Sequence, residues 1–86
     1  MINIRVEEVG DIHAEYPYLE VFSDNSNVPF LEIGITAEQS LLFKLYNVST
    51  NTFLTHEEWS HLLTIADDFL YRTLKNENNF LNSNLE

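Results

Sequence analysis

Three alternating runs of apolar and polar residues, separated by short turns, limit what this chain can fold into more than any other feature. Such a period of two is typical of strands that are buried on one face only. The runs are Tyr18-Leu-Glu-Val-Phe22, Phe30-Leu-Glu-Ile-Gly-Ile35 and Leu41-Leu-Phe-Lys-Leu-Tyr46. These runs are joined by two short polar segments with the composition of turns, residues 24–27 and 36–40. The pattern predicts an antiparallel β-meander.

The register of this meander is predicted from the requirement that its apolar side chains share one face, because a slip of one residue would turn every side chain to the opposite face. Turns centred on Ser26 and Glu38 place Ile33 opposite both Leu19 and Phe43. One face is then apolar throughout and is predicted to form the core: Leu19, Val21, Leu31, Ile33, Ile35, Leu41, Phe43 and Leu45. The other face, called the outer face below, mixes aromatic and charged residues.

A capping box predicts the start of a C-terminal helix. Thr55 stands at the N-cap and Glu58 at N3, with Leu54 and Trp59 at the positions of a hydrophobic staple. An apolar stripe continues from Trp59 to Leu74. We expect this helix to cover the apolar face of the sheet.

The N-terminal residues predict one more strand, and the chain length predicts a single domain. Ile2, Ile4 and Val6 alternate with polar residues and predict a first strand, which makes about four strands in all. The fold class is α+β, an antiparallel meander packed on one face by a C-terminal helix. Eighty-six residues make one domain. We assign it to residues 1–75 and expect the Asn-rich residues 76–86 to be a frayed or disordered tail.

The net charge of −10, from 14 acidic and four basic residues, excludes several classes of partner. Nucleic-acid binding requires clustered cations, and the four here are scattered. An anionic bilayer would repel the chain, and no apolar run reaches the roughly 20 residues that span a membrane. The first residues lack the basic and apolar segments typical of a secretory signal, so we expect none, and the absence of cysteine fits a reducing compartment. We expect a soluble, cytoplasmic protein.

No residue pattern in the sequence predicts an enzyme, a metal site or a cofactor. His56 and His61 are five residues apart, whereas a helical zinc site needs a spacing of four so that both rings face one metal. Adjacent acids such as Glu57 and Glu58 point in different directions and suit the first turn of a helix, where they complement its dipole. Two glycines in the whole chain provide no phosphate loop. We therefore expect no catalysis, no metal and no cofactor.

The outer face is the candidate site, because the exposed face of a small antiparallel sheet is usually polar. In the predicted register, Phe22, Phe30 and Tyr46 form one cross-strand row, and Glu20 faces Glu32. One interpretation is a docking surface whose aromatics anchor a partner and whose acids steer a basic one. The other is that aromatic pairs stabilise the sheet and the acids keep the protein in solution.

The acidic stretch from Glu7 to Glu15, interpreted as a loop, would extend this surface. A solvated loop is the alternative interpretation of that stretch. The candidate partner-binding residues are Glu7, Glu8, Asp11, Glu15, Tyr18, Glu20, Phe22, Phe30, Glu32 and Tyr46.

About half of the chain resembles, in overall format, the bacterial immunity proteins of polymorphic-toxin and contact-dependent growth-inhibition systems. The segments that carry this resemblance are residues 30–35 and 42–46, the stretch Phe53-Leu-Thr-His-Glu-Glu-Trp59, and the helix to Leu74. The resemblance implies a cytoplasmic protein that binds one cognate toxin stoichiometrically, and by analogy the toxin is a nuclease. It assigns no binding residues.

Two other functions fit the same residues. One is a DNA-mimicking or anti-restriction decoy, and the other is a non-catalytic adaptor subunit of an oligomer. The free chain is expected to be a monomer or a weak dimer, since exposed sheet edges allow self-pairing.

Overall fold

Four strands and one helix make up the described part of the chain. The structure is a computed structural model that describes residues 4–47 and 51–85, with side chains up to residue 76. In chain order its elements are β1 (Ile4–Val9), β2 (Tyr18–Ser23), β3 (Pro29–Ile35), β4 (Leu41–Leu45) and α1 (His56–Leu85). The strands form one antiparallel sheet in the order β1-β2-β3-β4. The predicted α+β meander with a C-terminal helix is confirmed, whereas Ile2 of the predicted first strand lies outside the described residues.

The pairing of β3 with its neighbours agrees with the predicted register over most of its length. Ile33 lies opposite Leu19 of β2 and Phe43 of β4. Because this register keeps the apolar residues on one face, α1 can pack against that face.

A bulge between β2 and β3 breaks the predicted register at one end. Val21 still faces Leu31, but Phe22 faces Pro29, which leaves Phe30 as an extra residue on β3. Phe30 is 7% exposed and belongs to the buried core cluster. The predicted row of Phe22, Phe30 and Tyr46 on the outer face is therefore wrong, because the extra residue changes the side of the sheet on which Phe30 packs.

The core lies between the sheet and α1. Its buried residues come from β2, β3 and the apolar stripe of the helix: Leu19, Val21, Phe30, Leu31, Ile33, Leu62, Ala66 and Phe69. The predicted capping box starts the helix, since the Thr55 amide donates to Glu58 Oε1 at 2.9 Å and the Glu58 amide donates to Thr55 Oγ1 at 3.0 Å. These bonds satisfy backbone groups that the first turn leaves without helical partners.

The helix crosses the sheet obliquely and leaves part of β4 uncovered. Near its start Trp59 contacts Phe43 of β4, and about three and a half turns later Arg72 approaches Glu8 of β1. Phe43 remains 37% exposed and Leu45 76% exposed, so their predicted place in the core is wrong. A helix about 10 Å wide cannot cover four strands spaced about 4.8 Å apart.

The helix also continues beyond the boundary predicted at Asn76. It ends at Leu85, and residues 76–85, predicted as a frayed tail, are helical. Asparagine has a low helix propensity, but this segment contains neither glycine nor proline to stop a helix that is already nucleated. No helix within the described residues is long and apolar enough to cross a bilayer.

Candidate functional site

Three glutamates lie side by side on the outer face, one on each of three neighbouring strands. Glu7 pairs with Glu20, and Glu20 pairs with Glu32. We call these three residues the acidic row. Lys44 of β4 lies opposite Glu32 and ends the row. With strands about 4.8 Å apart, the three carboxylates span about 10 Å of surface.

The sequence places the acidic row on this face because charged residues alternate with core residues. Val6 packs against the core, so Glu7 points to the other side of β1. Glu20 likewise lies between Leu19 and Val21, both of which are buried. The pairing of Glu20 with Glu32 was predicted, but the place of Glu7 was not, because the long link between β1 and β2 gives no register. Glu7 and Glu8 belong to β1, and their assignment to a loop is wrong.

Like charges placed directly opposite each other destabilise a sheet, and two members of the row have local compensation. Arg5 Nε lies 2.8 Å from Glu7 Oε2. Tyr46 donates a 2.6 Å hydrogen bond from its hydroxyl to Glu32 Oε1. Within the described part of the chain, no hydrogen bond or ion pair involves Glu20. The central carboxylate of the row is therefore available to an external cation.

Two half-buried tyrosines, Tyr18 and Tyr46, flank the row. Burial raises the pKa of Tyr18, and the carboxylates of Glu20, Glu32 and Asp11 raise it further. The hydrogen bond to Glu32, together with burial, raises the pKa of Tyr46 to about 12. Both phenols are protonated at neutral pH. Tyr18 offers an aromatic ring and a hydroxyl to a partner, whereas the Tyr46 hydroxyl is bonded to Glu32 and Lys44 Nζ lies 5.4 Å from the centre of the Tyr46 ring.

The other two aromatic candidates are not available as anchors. Phe22 is 6% exposed, and the guanidinium of Arg5 lies 4.3 Å from the centre of its ring. Phe30 lies in the core, as described above. The guanidinium of Arg5 therefore packs on the ring of Phe22, and it places a positive charge at the edge of the acidic row.

The remaining acidic candidates are not members of the row, although Asp11 lies near enough to Tyr18 to raise its pKa. Glu8 points to the helix side of β1, where its Oε1 lies 4.0 Å from Arg72 Nη1. Asp11 accepts a 2.8 Å hydrogen bond from the His13 amide and so closes a turn in the β1–β2 link. Glu15 is exposed in the same link. The structure thus brings together five of the ten predicted residues: Glu7, Tyr18, Glu20, Glu32 and Tyr46.

No arrangement suited to metal binding occurs among the residues that the structure describes, since they contain no group of three or more His, Asp or Glu able to hold an ion. An open groove of about 800 Å³ lies between the β2–β3 turn and the start of α1. The carboxylates that line it are Asp24 and Glu58, and Glu58 already closes the capping box. The acidic row is therefore the most distinctive polar arrangement in the described chain.

The comparisons with known proteins identify no relative. No family model matches the chain, no curated protein matches it, and no solved structure matches it.

Proposed function

We propose that this chain is a non-catalytic protein that binds a basic protein partner through its outer face, in the manner of an immunity protein that neutralises its cognate toxin. The acidic row carries this proposal. It concentrates three carboxylates on a surface that the core does not use, and the central one has no partner among the described residues.

Electrostatics supports a basic partner. A net charge of −10 draws cations toward the protein at long range, and such steering raises association rates at low salt. At short range the carboxylates of Glu20 and Glu32 offer acceptors to arginine and lysine. Tyr18 and Tyr46 add apolar contact area with few rotatable bonds, as binding residues at protein interfaces commonly do.

A nuclease is the class of toxin that suits this surface best. A nuclease must have basic side chains that bind the phosphates of its substrate. A row of closely spaced carboxylates can bind the same side chains. Inhibition then needs no chemistry in the inhibitor, only a stable complex. The cytoplasm is the compartment proposed for the complex, because the nucleic acid that needs protection is found there.

Stoichiometry distinguishes this function from an enzymatic one. The tagged chain is expressed in its native host, and the protein that co-purifies with it is isolated and assayed for nuclease activity. We expect a basic protein whose activity falls linearly with added chain and reaches zero at a ratio of one to one. A loss of activity at substoichiometric amounts of the chain would indicate turnover, and co-purification of an acidic partner would contradict the proposed role of the acidic row.

A further inference from the structure

An apolar surface beside β4 is used neither by the core nor by the proposed binding face. Four side chains define this surface, which we call the β4 patch. They are Phe43 (37% exposed), Leu45 (76%), Trp59 (39%) and Leu63 (37%). The rings of Phe43 and Trp59 lie 6.4 Å apart between centroids, so the patch bridges the strand and the helix.

No described residue pairs with the backbone of β4 on that side. In the described residues β4 is the last strand of the sheet, and only β3 pairs with it. The Tyr46 amide donates to the Phe30 carbonyl at 3.0 Å, so Tyr46 directs its backbone groups toward β3. Because these directions alternate in an antiparallel pair, the outward-directed N–H and C=O groups belong to Leu41, Phe43 and Leu45.

Charge makes this edge the most favourable place for a second acidic chain to approach. Residues 39–56 contain no aspartate or glutamate, although the chain has 14 of them in 86 residues. The opposite edge, β1, carries Arg5, Glu7 and Glu8, and charges of this kind block edge-to-edge pairing. Repulsion between two copies is therefore smallest along β4, where Lys44 is the one charged residue of the strand.

We propose that β4 pairs with β4 of a second copy of this chain, antiparallel and symmetric about Phe43. In this register Phe43 faces the partner's Phe43, and Leu41 faces the partner's Leu45. All of these are residues with outward-directed backbone groups, so each pair exchanges both of its backbone hydrogen bonds. A twofold interface of this kind is self-complementary, as closed homodimers require.

The same register also matches the side chains. The β4 patches of the two copies meet on the helix side, where they bury apolar groups that are exposed in the single chain. On the outer side Leu42 lies beside the partner's Lys44, so no carboxylates are brought together. The acidic rows stay open to solvent on one continuous sheet, and this inference is independent of the proposed function.

Sedimentation equilibrium on the full chain tests the interface. We expect association toward twice the chain mass of 10.1 kDa. Leu45→Lys should raise the dimer dissociation constant by about tenfold or more, because it places a cation among apolar groups. Ile12→Lys changes the net charge equally at a loop residue that is 95% exposed, and it should leave the constant unchanged. A strict monomer up to about 1 mM, or a dimer indifferent to Leu45→Lys, would overturn the proposal and leave this edge to a different protein.

Disulfide trapping tests the register without depending on affinity. The chain has no cysteine, so a single introduced thiol is unique. Phe43→Cys should form a disulfide-linked dimer in oxidised glutathione, since directly opposite Cα atoms lie about 5.5 Å apart, within the disulfide range. Leu45→Cys is the matched control, because its counterpart in the register is Leu41. Cross-linking of Leu45→Cys at an equal or greater rate, or of neither variant, would overturn the register.

Discussion

The hydroxyl of Tyr46 donates a 2.6 Å hydrogen bond to Oε1 of Glu32, from the residue after β4 to the middle of β3. This bond ties one carboxylate of the acidic row to the neighbouring strand. Among the residues that the structure describes, none binds the second oxygen of Glu32, which can therefore accept a hydrogen bond from a cation. The contact therefore serves both the sheet and the proposed binding face.

Tyr46→Phe should lower the free energy of unfolding by about 1.5 kcal/mol at neutral pH, because it removes a hydrogen bond to a charged group. The pKa of Tyr46 rises from 10.0 to about 12 on folding. This stabilisation is complete below pH 10 and is lost as the pH rises from 10 to 12, since the unfolded state releases its proton first.

Urea unfolding at pH 7 and at a series of alkaline pH values measures this effect. The decline of stability between pH 10 and 12 should be shallower in Tyr46→Phe than in the wild-type chain. Tyr71→Phe, on the exposed side of α1, is the control and should keep the wild-type slope. An unchanged slope in Tyr46→Phe would contradict the assigned bond.

Glu20→Gln should stabilise the fold, by about 0.2–1 kcal/mol, because Glu20 has a carboxylate on each side. The gain should shrink at high salt, which screens exposed charges. Glu38→Gln changes an exposed acid in the β3–β4 turn and should have a smaller effect. Denaturant unfolding at low and high salt measures both variants, and a loss of stability in Glu20→Gln would show that Glu20 has a structural role.

Phe30→Ala should destabilise the protein by about 3–5 kcal/mol, since it leaves a cavity beneath the helix. Leu45→Ala is the matched control, and we expect a change below about 0.5 kcal/mol at protein concentrations where the chain is monomeric. Thermal or urea unfolding checks both. If Phe30→Ala destabilised the protein as little as Leu45→Ala, Phe30 would lie on the outer face, where the alternation of the sequence places it.

Thr55→Ala should cost about 1 kcal/mol, because the Glu58 amide loses the side-chain oxygen that caps it. Thr55→Ser keeps that acceptor and should stay within about 0.5 kcal/mol of the wild type. Urea unfolding followed by far-ultraviolet circular dichroism measures the difference. Equal stability of the two variants would contradict the cap.

Local chemistry predicted much of this fold from the sequence. The pairing of Ile33 with Leu19 and Phe43 followed from alternation, and the helix start at Thr55 followed from the capping box. Both depend on residues that are near one another in the chain. The predicted faces of β2, β3 and β4 were correct wherever no bulge intervened.

What the sequence did not predict depends on longer-range geometry. The bulge that turns Phe30 into the core adds one residue to β3, and simple alternation has no means of showing it. The exposure of Leu45 depends on the path of α1 across the sheet, which no local pattern specifies. The addition of Glu7 to the acidic row depends on β1–β2 pairing across the link formed by residues 10–17, which fixes no register by itself.

The double variant Glu20→Gln/Glu32→Gln tests whether the acidic row binds the partner. Equilibrium titration against the basic protein that co-purifies from the native host, at several salt concentrations, is the measurement. Glu38→Gln/Asp67→Asn has the same charge change at exposed positions away from the acidic row and is the control. We predict at least about tenfold weaker binding with a shallower salt dependence for the first pair, and wild-type affinity within about twofold for the control. Unchanged affinity and salt dependence in Glu20→Gln/Glu32→Gln would show that the partner does not bind at the acidic row.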